Sequence, residues 1–427
     1  MSLSKTSSYT DTFRKEAYAL LIYLYAFSLP LRSNLKTVVL FALIVFFLAQ
    51  RIKQETSIFS IFRNTTFKIL AFYYSLCFAA IFYSSDAKEG VDFFVLQVTL
   101  PLLPVLFYRQ LSLKQVHTAL LAFSLSCFLL SVYAFVAISL VYFGERPEQI
   151  SHFSQIDWVY FSYYLPQNIK FHAPYYSLYI GACLIIHTYF LSRFWEKDLK
   201  RPFSFHLLAC LFYFVFLALL SSRTSLVATV VVLALVAVYR AFVTRKFLAL
   251  GIVVLLTVGV GVLVLQKVTY LKMKFSQNAG VAERNMMWIS AWEIIKENPV
   301  LGVGTGDNRQ ALLNKYQEND FAEGLKSRFD AHNQFLMHGV SMGFLGGLAL
   351  ILLLLLLLRQ AFLRKDYVLF SFVAVFTICC LTESLLQRRD GTLLFSFMVA
   401  LMVFAEKTSS PALKEKQETD IPQAVTQ

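Results

Sequence analysis

The strongest constraint in this sequence is its hydropathy pattern. Apolar stretches, each near the length needed to cross a lipid bilayer, follow one another along the chain and are separated mostly by short polar turns. A helix needs about 20 apolar residues to span the hydrocarbon core, with slightly fewer tolerated. By that measure twelve candidate spans stand at 16–31, 35–50, 67–83, 93–108, 117–143, 174–192, 206–222, 224–243, 247–266, 333–358, 367–382 and 391–405. A soluble fold does not fit a chain with 57% hydrophobic and 15% charged residues and a mean hydropathy of +0.60, because soluble domains run near a quarter charged. The expected architecture is all-α: a polytopic membrane protein with about 12 transmembrane helices. The nearly pure leucine run Leu350–Leu358 reads as lipid-facing or closely packed, and carries no chemistry.

Basic residues set the orientation, since they concentrate on the cytoplasmic side. With the N-terminus inside, the cytoplasmic segments collect more than half of the 39 basic residues, among them Arg14, Lys15, Arg193, Lys200, Arg240, Arg245, Arg364 and Lys365. The short outer segments hold only Arg32, Lys36, Lys88, Arg146, Lys170, Arg223, Arg388 and Arg389. Residues 1–16 are therefore expected as a cytoplasmic N-terminus, 17–405 as one membrane domain, and 406–427, polar with Pro411 and Pro422, as a disordered cytoplasmic tail. Ala17–Pro30 is followed by no small-residue cleavage pattern, so it reads as a first span rather than a signal peptide. The net charge of +13 then belongs to the loops, and no nucleic-acid partner is expected. All six cysteines fall in apolar runs, which points to neither a disulfide framework nor a thiolate metal site.

One long polar excursion, 267–332, interrupts the spans on the outer side. Within it, Asn285–Asn298 reads as an amphipathic helix with Trp288, Trp292 and Ile295 on one stripe. Pro299 ends it, and Asp307 is placed to cap a second helix through about Glu318. A second outer loop, Gly144–Ala173, is rich in Tyr, Phe and Trp, as expected of a segment lying in the membrane interface.

Few residues at the outer side can carry chemistry. Arg223, in Ser221-Ser222-Arg223-Thr224-Ser225, is a lone cation at a tight turn between two apolar runs. Its guanidinium either snorkels to the interface or offers a five-donor fork suited to phosphate oxygens. Arg284 follows Glu283, a local ion-pair arrangement, yet it opposes the macrodipole at the N-terminus of its helix, a placement against local preference. His332 stands where the long loop enters the next span and has the residue type of a general base near neutral pH. His172, at the outer start of another span, is a second candidate, while His338 points well away from His332 on the same helix. Glu383 ends a span on the outer side and suits an arginine partner. Gly302-x-Gly304-x-Gly306 is compatible with anion contact through backbone N–H groups, although a tight turn between helices is the better account of it. Glu318-x-Asp320 is the only close carboxylate pair in the long loop, and a solvated helix end explains it without a metal.

As an ordered set these residues resemble the O-antigen ligase/polymerase superfamily. The resemblance rests on Leu220-Ser221-Ser222-Arg223, Glu283-Arg284 with Trp288 or Trp292, and Glu297-Asn298-Pro299-Val300-Leu301-Gly302-Val303-Gly304. It continues through Ala331-His332-Asn333, Gly343, Gly346 and Gly347, to Thr382-Glu383-Ser384 and Gly391, with His172-x-Pro174-x-Tyr176-Ser177 as a feature of some members. It spans about residues 170–405; the N-terminal third matches only in hydropathy. What it implies is a multi-pass inverting glycosyltransferase of the bacterial inner membrane, with both termini cytoplasmic and 267–332 a periplasmic loop. The donor would be a glycan on undecaprenyl pyrophosphate. The acceptor would be a lipid A–core sugar in a ligase, or the end of a growing glycan in a polymerase. Arg223 and Arg284 would hold the pyrophosphate and stabilise its charge, and His332 would take the acceptor proton. His172, Asn333, Gly302, Gly304 and Glu383 would contact substrate. Neither a cofactor nor a metal is expected, and membrane lipids are the surrounding partner. Between His332 and His172 the sequence does not choose the base. A transporter of lipid-linked glycan is the competing class, expected to show broken spans or repeat-related halves, neither of which is visible in the sequence.

Overall fold

The computed structural model describes residues 3–51, 58–145, 157–196, 200–245 and 280–405. Among them every regular element is helical. The helices are α1 (Leu3–Ser28), α2 (Leu35–Arg51), α3 (Thr65–Ala79), α4 (Ala87–Gln97), α5 (Thr99–Phe107), α6 (Leu113–Glu145), the single turn α7 (Leu165–Asn168), α8 (Ala173–Glu196), α9 (Lys200–Leu219) and α10 (Arg223–Thr244). After the undescribed 246–279 come α11 (Val281–Glu297), α12 (Asn308–Glu318), α13 (Ala322–Ser327), α14 (Gln334–Arg364), α15 (Tyr367–Cys380) and α16 (Arg389–Val399). Helices coincide with every expected span except 247–266, which lies outside the described residues, as does the tail 406–427. Five helical segments are long and apolar enough to cross a membrane: Ala87–Phe107, Leu113–Gly144, Pro202–Leu219, Arg223–Thr244 and Gln334–Arg364. Leu35–Gln50 and Tyr367–Cys380 are shorter apolar helices.

The main core is built where α8 packs on α9, α10 and α6, and where α14 packs on α15 and α3. Large aromatic side chains fill it, Tyr176, Tyr179, Phe372, Phe376 and Phe395 among them, all fully buried. On the leucine run, Leu350, Leu353, Leu354 and Leu357 face inward while Leu352 and Leu355 are exposed, so one helix serves packing on one side and an apolar surface on the other.

The polar segment after 280 is a folded unit with a core of its own. Met287, Ala291, Ile294 and Ile295 of α11 meet Leu312 and Tyr316 of α12, and Met337 and Val340 of α14 complete the cluster. The inward stripe of α11 thus keeps Ile295 and packs Trp288 against the cluster, as periodicity expects, but leaves Trp292 out. Trp292 is 47% exposed, with its ring 6.4 Å from that of Phe344. The face of α11 is chosen by α14 behind it, and the bulky indole is left at the boundary beside an exposed part of that same helix.

Helix α14 is broken, which the sequence reading did not anticipate. Met342 (φ −133°, ψ 18°) and Gly343 (φ 60°, ψ −160°) are non-helical. Into the break fits the turn Pro299–Gly304. Val303 N donates to Val340 O (2.8 Å), Gly304 N to Ser341 O (3.0 Å), and Phe344 N to Pro299 O (2.8 Å). The carbonyls freed by the break are therefore satisfied by protein, as a buried backbone requires. A Cβ on Gly302 would lie 2.5 Å from Val340 O, and one on Gly343 2.3 Å from Val300 O. Only glycine at both positions lets the two backbones approach so closely.

Candidate functional site

The site forms where the segment entering α14 meets the segment leaving α15. Asn333 caps α14, its side chain accepting from Phe335 N and Leu336 N. Just before it, His332 adopts φ 43°, a left-handed conformation that histidine tolerates better than most residues. The Asp330 carboxylate holds it there, accepting His332 N at 2.7 Å and Ser384 Oγ at 3.0 Å. Asp330 therefore pins the histidine to the second strap, Thr382-Glu383-Ser384. On that strap Glu383 Oε2 lies 3.3 Å from His332 Nδ1, and Oε1 lies 3.9 Å from Arg284 Nη2. One carboxylate thus joins the histidine to the arginine, with all three side chains partly exposed, at 29%, 30% and 14% for His332, Arg284 and Glu383.

This geometry decides the chemistry available to His332. Burial disfavours the imidazolium, but the bond to and charge of Glu383, with Asp330 behind it, outweigh burial and the nearby Arg284, and raise the pKa above the ordinary histidine value. With Nδ1–H donated to Glu383, Nε2 is left as the basic nitrogen. That is the arrangement of an oriented general base.

A buried ring of hydrogen bonds sets the strap behind Glu383. His338 Nε2 lies 2.9 Å from Tyr73 Oη, and His338 Nδ1 lies 2.9 Å from Gln334 Nε2. Gln334 Oε1 accepts from Leu386 N, Leu386 O accepts from Gln97 Nε2 at 2.6 Å, and Gln97 Oε1 closes the ring with Tyr73 Oη at 3.5 Å. The Leu386 amide orients both glutamines, so His338 Nδ1 must accept and Nε2–H must donate. His338 is therefore neutral and structural, while His332 faces the outer polar cluster.

Arg223 opens α10, after a turn in which Ser221 has φ 52° and Ser162 Oγ bonds Ser221 Oγ. The neighbouring Thr224 Oγ1 accepts from Thr382 Oγ1 at 2.9 Å, so Arg223 and Glu383 are each the chain neighbour of a bonded threonine. Below Arg223 runs a groove of about 400 Å³ lined by Thr224, Val227, Ala228, Val231 and Ile378: a cation at the head and apolar walls beneath.

The remaining expected residues stand apart from this cluster. His172 is exposed at the start of α8, with its ring 6.4 Å from Tyr175, and no contact brings it to Glu383. Tyr175 itself donates to Ser384 O at 3.2 Å. The amides of Gly304 and Gly306 are engaged by Ser341 O and Ser84 Oγ, and that of Gly302 by Asn298 O, so the glycine turn builds the plug in α14. Asp307 does not cap α12 with its side chain. It reaches back to Ser85 N (2.6 Å) and Asp86 N (2.9 Å), fastening the turn to the start of α4. Those bonds hold its pKa below the usual carboxylate value against the effect of burial. Glu318 is paired with Lys315 at 2.6 Å, and Lys315 also reaches Glu297 at 2.7 Å. Among the described residues no three or more His, Cys, Asp or Glu side chains are arranged so that they could hold a metal ion. Asp330, Ser384 and Tyr175 were missed from sequence. Their only signal was adjacency, Asp330 two residues before the histidine and Ser384 one after the glutamate.

Residues 208–351 match a family model described as O-antigen ligase. The match covers about a third of the chain and includes Arg223, Arg284, His332 and the plugged break, but not Glu383. It supports an O-antigen ligase-like superfamily for this multi-pass helical protein. Among curated proteins none matches the chain.

Proposed function

We propose that this O-antigen ligase-like protein is an inverting glycosyltransferase that moves a glycan from a polyprenyl pyrophosphate to a sugar hydroxyl at the outer face of the bacterial inner membrane. The carrying observation is Glu383 bridging His332 and Arg284, with Arg223 one residue from the threonine pair that joins α10 to the same strap. In this reading the acceptor oxygen attacks the anomeric carbon from the face opposite the pyrophosphate. The new C1–O bond forms as the C1–O–phosphate bond breaks, His332 Nε2 takes the hydroxyl proton, and the lipid pyrophosphate leaves with the bonding electrons. Arg284 and Arg223 stabilise that charge through paired N–H donors. The apolar groove under Arg223 suits the first isoprene units of the carrier. Glu383 orients His332 and stabilises the imidazolium that forms.

A lipid A–core acceptor makes the protein a ligase; the end of a growing chain makes it a polymerase of the same superfamily. Deleting the gene separates them: loss of all attached glycan marks a ligase, and retention of single repeat units a polymerase. The broken α14 is the feature that would favour a lipid-linked glycan transporter, but its break is filled by Pro299–Gly304 rather than opening on a cavity. Purified protein in detergent, where transport has no meaning, should transfer glycan from lipid-linked donor to acceptor. Absence of transfer by well-folded protein, with both substrates bound, sinks the proposal.

A further inference from the structure

Beyond the strap lies a second group of cations that the transfer chemistry above does not use. Tyr175 sits between the two: its hydroxyl is within electrostatic reach of Glu383 and Asp330 on one side and of Arg388 and Asp390 on the other. Lys36 in turn is within electrostatic reach of Arg389, Asp390 and Arg32. The group therefore contains four cations, Arg32, Lys36, Arg388 and Arg389. Its carboxylate, Asp390, is taken up by Arg32 in a two-pronged pair of 2.9 and 2.6 Å, with the guanidinium stacked 3.9 Å over Phe171.

The placement of these charges is unfavourable on its own terms. Arg388 and Arg389 stand at the N-terminal cap and first residue of α16, and Lys36 is the second residue of α2. Helix N-termini carry partial positive charge and favour anions, so cations there repel the dipole as well as each other. Arg388 and Arg389 are exposed, and Arg389 makes only a neutral bond of 3.2 Å, to Thr37. An anion bound across this rim relieves the repulsion. Arg223 and Arg284 belong to α10 and α11, and Arg284 pairs with Glu383 rather than Asp390, so the rim is carried by different elements from the cations assigned to the leaving pyrophosphate.

We propose that Arg388 and Arg389, braced by the Arg32–Asp390 pair, form an anion-reading subsite for an acceptor glycolipid that carries phosphate groups on its sugars. This rests on the glycosyl-transfer reading and deepens it, because it names the acceptor as anionic and gives it cations distinct from those assigned to the donor. Phosphate is also displayed by ordinary phospholipid headgroups, and the test separates the two sources.

The experiment uses the full chain in neutral nanodiscs. Binding is measured for purified lipid A–core, for the same glycolipid after enzymatic dephosphorylation, and in competition with phosphatidylglycerol. The double variant Arg388→Gln/Arg389→Gln is expected to weaken phosphorylated-acceptor binding about tenfold, at roughly two- to fivefold for each exposed pair. Raising salt should weaken the parent in the same direction, and lipid-linked donor binding should stay unchanged. Arg388→Lys/Arg389→Lys keeps the charge and should retain most binding, which separates lost recognition from misfolding. Equal binding of the dephosphorylated acceptor overturns the proposal, as does phosphatidylglycerol competing at equal concentration. Because binding needs no turnover, phosphate-dependent binding without transfer would fail the catalytic reading alone. Transfer indifferent to acceptor phosphate would fail the subsite alone.

Discussion

Gly343→Ala is the sharpest test of how the loop is held over the site. The native residue has φ 60° and ψ −160°, a region essentially confined to glycine, and holding alanine there costs about 1–3 kcal/mol. The added methyl would sit 2.3 Å from Val300 O and 2.4 Å from Val300 C, backbone atoms that cannot rotate away. The plug must then withdraw, losing the three bonds from Val303 N, Gly304 N and Phe344 N at roughly 1 kcal/mol each. Together the loss is roughly 4–6 kcal/mol of local stability. Local opening of the segment carrying Arg284 then becomes roughly 10³- to 10⁴-fold more frequent, and proteolysis that tracks the open population should accelerate by that factor. Gly347→Ala is the control. Its Cβ would meet nothing nearer than Phe335 O at 3.9 Å, and alanine should stabilise that turn by about 0.5–1 kcal/mol. The assay is limited proteolysis of purified protein, with cleavage mapped across 280–332. If Gly343→Ala is cut within threefold of the parent rate, the plug does not secure the loop and the account of the break is wrong.

Three further outcomes follow from the site. Glu383 raises the His332 pKa, so the neutral base is populated only above the ordinary histidine value; Glu383→Gln leaves burial dominant and should move the acid limb of the pH–rate profile to lower pH. The same pairing stabilises the fold at low pH and is lost as pH rises through the raised pKa, so the variant's stability deficit, measured by thermal melts, should be largest at acid pH and shrink at alkaline pH; an unmoved acid limb dissociates the pair from catalysis. Arg284→Lys and Arg223→Lys keep charge but lose the fork, and each should cut transfer by about 10²-fold or more with weakened donor binding; a fully active lysine variant reduces that arginine to a point charge. His338→Phe fills the ring volume but strands Tyr73 and the Gln334 amide, and should cost about 1–3 kcal/mol for each stranded group in melts while slowing transfer; unchanged melting and transfer would deny the ring a role in setting the strap.

The helices were legible because apolar runs of bilayer length favour helix, and helices indeed occupy 174–192 and 224–243 with little drift at their ends, the second of them long and apolar enough to cross a membrane. His332 stood out as a general-base residue type where the loop enters a helix, and Arg284 as a cation placed against its helix dipole, and the structure brings both to Glu383. What escaped was set by contacts distant in sequence. Glu383 reads as a partner for an arginine, but its bond to a histidine 51 residues earlier depends on how α15 returns beside α14. Trp292 lies exposed at the edge of the face that α14 selects on α11, and periodicity does not say which element will do the selecting. The glycine turn was compatible with an anion but better read as a bend; only the break in α14 shows which backbone atoms receive its N–H groups.

The small core above α14 also dictates an order of assembly. Its cluster needs Met337 and Val340, which leave the ribosome after every residue of α11, α12 and α13. Until α14 is inserted, Met287, Ile294 and Tyr316 have no floor to close against, and the plug has no gap to enter. Glu383 arrives later still, after α15 has turned back. The nascent loop can therefore be outside the membrane with its arginine and histidine exposed, yet uncoupled from each other. The joined site of His332, Glu383 and Arg284 is therefore the last feature the chain acquires, reached only when its final helices dock, so on the proposed function a prematurely terminated product would be inactive.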